Sequence, residues 1–109
     1  MNKLFILLVF SVGINATAQV ATSGTTNSGT NASAIGYQSS ATNTVSTAIG
    51  RETLASGITS TAMGYQTSAT NTASTAMGNS STASGVTSTA IGNNSTASGE
   101  TSIAMGFET

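Results

Sequence analysis

Very few side chains in this 109-residue chain could move a proton, hold an ion or attack a substrate. The charged residues are Lys3, Arg51, Glu52, Glu100 and Glu108. Arg51 and Glu52 are adjacent and read as an isolated surface ion pair, an arrangement of small energetic worth. Tyr37-Gln38 and Tyr65-Gln66 recur at an interval of 28 residues. The two phenols could stack on a ligand, although duplication with ordinary surface packing explains them as well. There is no His, Cys, Asp, Pro or Trp. Those gaps remove the imidazole base, the thiol nucleophile, the disulfide framework and the zinc site. They also remove the parts of the familiar catalytic triads and metal centres. No basic cluster exists to follow a phosphate backbone, so nucleic acid is not an expected partner. No G-x-G-x-x-G or Walker spacing marks a phosphate loop. What remains is hydroxyl and amide hydrogen bonding, which predicts a non-enzymatic protein with no cofactor, no metal and no small-molecule substrate.

The segments that carry these residues fall into three parts. Residues 1–18 read as a cleavable export signal. Met1-Asn2-Lys3 is a basic start, Leu4 to Val12 an apolar run, and Ala16 and Ala18 supply the small residues before a cut at Gln19. The run is about half of the roughly 20 apolar residues a spanning helix needs. Without Cys, a lipid-modified cysteine is excluded. Residues 19–31 form a lead-in with a worn half-repeat at Ser28-Gly29. Residues 32–109 form a repeat array. Asn-x-Ser/Thr sequons at Asn31, Asn79, Asn93 and Asn94 arise easily in so hydroxyl-rich a chain and do not by themselves predict glycosylation.

The array has a period of fourteen residues. Gly36, Gly50, Gly64, Gly78, Gly92 and Gly106 follow one another without a slip. Each comes after an aliphatic residue (Ile35, Ile49, Met63, Met77, Ile91, Met105), which in turn follows an alanine (Ala34, Ala48, Ala62, Ala76, Ala90, Ala104). A second alanine stands five residues after the first five glycines, at Ala41, Ala55, Ala69, Ala83 and Ala97. A second breaker falls midway, at Asn43, Gly57, Asn71, Gly85 and Gly99. Two breakers per unit leave segments too short for helices. Their Thr, Val and Ile content and their alternation favour strands.

One face of each segment carries only small residues, and the other carries Thr and then a bulky aliphatic. This pattern predicts an all-β, flattened solenoid with two strands per coil. The alanines fill its interior, and the glycines stand at corner turns where positive φ is easy. Coils stacking at about 4.8 Å would build a rod of about 30 Å. Buried hydroxyls inside it are expected to find partners, because unpaired ones are costly. Ile35, Ile49, Met63, Met77, Ile91 and Met105 then form an outward ladder, one rung per coil. So long an apolar stripe on an exported rod predicts association of like chains through it. The stripe does not choose the number of subunits.

STAIG (46–50), STAMG (60–64 and 74–78), STAIG (88–92) and SIAMG (102–106) resemble the head repeats of trimeric autotransporter adhesins, of which the YadA head is the type. The resemblance covers about residues 32–109. It implies a left-handed parallel β-roll and a homotrimer displayed at the bacterial cell surface. It also implies adhesion to host extracellular matrix or to other cells. In that family the aliphatic rungs form the inter-subunit core and the alanines the interior of each roll. The residue two before each rung is commonly Val there; here it is Ser33, Thr47, Thr61, Thr75, Thr89 and Ile103. The family's coiled-coil stalk and membrane anchor are not among these residues, which reads as a fragment or as a head whose anchor lies elsewhere. Attachment to the outer membrane is thus implied by family only. The expected function is a cell-surface adhesin head acting by multivalent display. Alternatives are a trimeric fibre or spacer segment, as in phage fibres, and an ice-binding solenoid. The ice-binding reading rests on the Thr59/Thr61 and Thr87/Thr89 pairs, in an array that Val45, Ala73 and Ile103 interrupt. A disordered Ser/Thr linker is the blandest alternative.

Overall fold

The computed structural model describes residues 23–109. The export signal and the first residues of the lead-in lie outside the described residues. Short strands β1 (Thr26–Asn27), β3 (Ser40–Ala41), β5 (Leu54–Ala55), β7 (Ser68–Ala69), β9 (Thr82–Ala83) and β11 (Thr96–Ala97) alternate with longer ones. The longer strands are β2 (Ser33–Tyr37), β4 (Thr47–Arg51), β6 (Thr61–Tyr65), β8 (Thr75–Asn79), β10 (Thr89–Asn93) and β12 (Ile103–Phe107). The short strands make one six-stranded sheet, in the order β1-β3-β5-β7-β9-β11, and the long strands make the other. All pairings are parallel and in register by one repeat: Thr61 lies beside Thr75, and Met63 beside Met77. The molecule is an all-β parallel solenoid, each coil contributing one strand to each sheet.

The interior is made of methyl and hydroxymethyl groups. Ala41, Ala48, Ala55, Ala62, Ala69, Ala76, Ala83 and Ala90 are completely buried, with Ala32, Ala34 and Ala97 nearly so. Ala104, in the last coil, is partly buried against them. Between the alanines run serines and threonines, from Ser39 and Ser46 to Ser88 and Ser95, all buried. Two sheets can approach this closely only if nothing larger stands between them.

Buried hydroxyls divide into two kinds. Ser46, Ser60, Ser74 and Ser88 each donate to the carbonyl three residues earlier, at 2.7 Å, and so brace a turn. Ser39, Ser81 and Ser95 each donate across to a glycine carbonyl of the next coil at 2.9 Å. Thr53 and Thr67 occupy this second series, yet their Oγ1 atoms have no partner. The expectation that every interior hydroxyl is bonded is therefore corrected at these two places.

The turns also differ from the simple expectation. Gly36, Gly50, Gly64, Gly78, Gly92 and Gly106 do have positive φ, between 117° and 135°. They lie inside the long strands, however, and not at the corners. Glycine is required there by close approach: a Cβ on Gly64 would stand 2.0 Å from the carbonyl oxygen of Gly78 in the next coil. The left-handed corner residues come two positions later, at Gln38, Glu52, Gln66, Ser80, Asn94 and Glu108. At the opposite corner they are Asn31, Val45, Thr59, Ala73, Thr87 and Thr101. Together they recur every seven residues.

At that opposite corner the midway breakers do not form one series. Gly57 and Gly85 donate their N–H to Ala69 and Ala97 of the next coil, at 3.4 and 3.3 Å. Asn43 and Asn71 instead donate theirs to the hydroxyls of Ser46 and Ser74, at 3.2 Å. The Asn43 amide then reaches Ser56 O at 3.2 Å, and its Oδ1 accepts from Thr44 N at 2.8 Å. From Gly29 to Gly85 successive coils thus alternate two hydrogen-bonding schemes at this turn, in step with the period of 28 residues, and Gly99 breaks the alternation.

β-Branched residues are poorly suited to φ near +57°, the conformation of Val45. Thr59, Thr87 and Thr101 at least bond their hydroxyls to the preceding carbonyl, at 2.6–2.7 Å. Val45 is exposed and has no such bond. Val45→Asn should therefore stabilise the roll by about 1 kcal/mol. A lower denaturation midpoint in that variant would contradict the strain assigned here.

Candidate functional site

The long strands present three outward columns, because residues two apart on a strand share a face. The middle column is the aliphatic one. Ile35, Ile49, Met63, Met77 and Ile91 are half-buried among their neighbours, and Met105 is exposed. On one side runs Ser33, Thr47, Thr61, Thr75, Thr89 and Ile103; on the other runs Tyr37, Arg51, Tyr65, Asn79, Asn93 and Phe107. Ile103 and Phe107 are largely exposed. The result is an apolar ridge between a threonine column and a mixed aromatic and amide column.

The two halves of each coil carry different residue types at the matching outward position. Each coil is two seven-residue halves of one design: an inward Ser or Thr, an inward Ala, a breaker, then a left-handed residue. The half Ser60–Gln66 and the half Thr67–Ala73 match in this way. Where the long-strand half carries Ile35, Ile49, Met63, Met77 and Ile91, the short-strand half carries Thr42, Ser56, Thr70, Ser84 and Ser98. The halves share their inward residues and left-handed corners but not every torsion, since the glycines after the rungs are at positive φ and Asn43, Gly57, Asn71 and Gly85 are not; at the matching position one face carries hydroxyl residues and the other aliphatic ones. Leu54 is the one large aliphatic side chain on the outer face of the short strands.

Arg51 and Glu52 are less isolated than their spacing suggests. Arg51 lies between the rings of Tyr37 and Tyr65, and its Nε donates to Glu52 Oε1 at 3.3 Å. Glu52 in turn accepts from Gln66 Nε2 at 2.9 Å. Sequence reasoning had all five residues in hand; the cue it passed over was that 37, 51 and 65 are successive steps of fourteen. Among the described residues no group of three His, Cys, Asp or Glu side chains could hold a metal ion.

A parallel two-sheet roll with an alanine interior and an external aliphatic ladder defines a solenoid repeat protein. The family model for the YadA head domain repeat (2 copies) matches residues 28–53, 55–81 and 83–109. The chain belongs to the YadA head family. No curated protein sequence matches it.

Proposed function

We infer that this chain is a non-enzymatic adhesin head segment that assembles as a homotrimer at the bacterial cell surface. Membership of the YadA head family supports an adhesin-type role. The observation that carries the assembly reading is the contrast between the two faces. Equivalent positions hold Ser or Thr on one sheet and Ile or Met on the other, so the aliphatic choice answers to something outside the single roll. A second and third copy of the same ladder satisfy it around one axis. In this reading Ile35, Ile49, Met63, Met77, Ile91 and Met105 form the inter-chain core. The alanines and serines form the core of each roll. Adhesion to extracellular matrix or to other cells then arises from many weak contacts repeated on three chains, through avidity.

Sedimentation equilibrium of residues 19–109 tests the assembly. A trimer at micromolar concentration is the expected result; a monomer at that concentration refutes it.

A further inference from the structure

Arg51 is the only cationic side chain among the described residues, and the fold mounts it in a particular way. In-register pairing sets Tyr37, Arg51 and Tyr65 side by side on β2, β4 and β6. The guanidinium carbon stands 5.6 Å from the centre of the Tyr37 ring and 5.5 Å from that of Tyr65. Both rings attract it, because each aromatic face carries partial negative charge. Its Nε is fixed by Glu52 Oε1 at 3.3 Å. The other carboxylate oxygen of Glu52 is held by Gln66 Nε2 at 2.9 Å, so the acid is engaged at both oxygens. The two Nη amines of Arg51 have no acceptor among the described residues. A guanidinium ordered in this way with its outer fork free is suited to a planar, two-oxygen anion.

We propose that the Tyr37–Arg51–Tyr65 cluster is a binding site for a carboxylated sugar of the uronic or sialic acid type. The Nη pair receives the carboxylate. The phenol hydroxyls of Tyr37 and Tyr65, residues that are 47% and 37% exposed, meet the sugar hydroxyls. The ring surfaces left uncovered take its C–H face. Apart from Glu52, which is held by Arg51 and Gln66, the neighbours of the cluster are uncharged hydroxyl and amide residues, with Thr47 and Thr61 on the same strands and Asn79 next to Tyr65. Such a surface suits a polyhydroxylated partner more than an acidic peptide, which would call for several cations. The site goes beyond the head reading and lies within one chain. It stands one column from the aliphatic ladder on the same strands, and sedimentation reads the trimer while titration reads the site, so the two failures are told apart.

The test is a two-dimensional NMR titration of the purified chain with sodium glucuronate, glucuronate methyl ester, glucose, sodium acetate and sodium sulfate. The expected result is saturable movement of the Arg51 side-chain and the Tyr37 and Tyr65 ring signals with glucuronate. The methyl ester, glucose, acetate and sulfate should each bind about tenfold more weakly or not at all. Arg51→Lys keeps the charge but loses the fork, and should weaken glucuronate binding about fivefold or more. Tyr65→Phe keeps the ring and the stacking, and should weaken it through loss of the hydroxyl alone. Equal binding of acetate or sulfate would reduce the site to a bare anion contact and overturn the proposal. So would the absence of saturation, or unchanged binding in both variants.

Discussion

A roll carrying Ile49→Ser, Met63→Thr, Met77→Ser and Ile91→Ser together should fold and remain monomeric. Each new residue is the one found at the matching position of the next half-coil: Ser56, Thr70, Ser84 and Ser98. The solenoid already carries these residue types at the matching outward position of the other sheet, and the alanine interior is untouched, so the parallel sheets should survive. What disappears is the greasy surface available to another chain. Fully burying an Ile or Met side chain is worth roughly 1.5–3 kcal/mol, and these four are half-buried before any partner arrives. Even part of that gain, lost four times in every chain, should weaken association by about a thousandfold or more. Circular dichroism should keep its β signal while sedimentation reports one chain. A persisting trimer would place the interface elsewhere. A random-coil spectrum would mean that the ladder holds the single roll together, and would count equally against the assignment.

Gly57→Ala should be strongly damaging through crowding alone. A methyl there would stand 1.9 Å from the carbonyl oxygen of Asn71 and 2.2 Å from its carbon, both backbone atoms of the next coil. Neither can move without opening the ladder, so the expected loss is about 3 kcal/mol or more. The φ of Gly57 is not in the left-handed range, so the damage comes from crowding and not from the torsion itself. Asn43→Ala is the matching change one coil earlier. That position already carries a Cβ, and the change deletes only the side-chain bonds to Ser56 O and Thr44 N. It should cost about 1 kcal/mol. Denaturant unfolding of both variants checks the contrast, and similar losses would refute the alternation of hydrogen-bonding schemes.

Much of this architecture was legible before any coordinates. The spacing of Gly36 through Gly106 implied coils of equal length, and the small residues at alternate positions implied two sheets in close contact. The parallel pairing of Met63 with Met77 follows from that period alone. The half-coil repeat was also available, since Ala34, Ala41, Ala48, Ala55 and Ala62 are seven apart. It is masked by the outward residues, which differ between the halves and draw the eye to the longer period. The left-handed corners were not legible. Val45, Thr59 and Thr87 are types that such a conformation disfavours, so propensity pointed to the nearest glycine or asparagine instead. There the stacked ladder overrode local preference: Thr59 N donates to Thr44 O at 2.9 Å, a bond that exists only because the previous coil is already in place.

By itself the sequence determined what the interior could be made of and how often the chain had to turn. Composition and periodicity are properties of the linear chain, and side chains no larger than threonine at every inward position leave only a thin, two-sheet roll. Tertiary structure alone decided which residues meet across coils. It placed Arg51 between Tyr37 and Tyr65, left the hydroxyls of Thr53 and Thr67 without partners, and put glycine at the points where neighbouring backbones almost touch. Those outcomes depend on distances of a few ångströms between residues fourteen apart, which are set by the stacking of coils and not by any local preference of the chain.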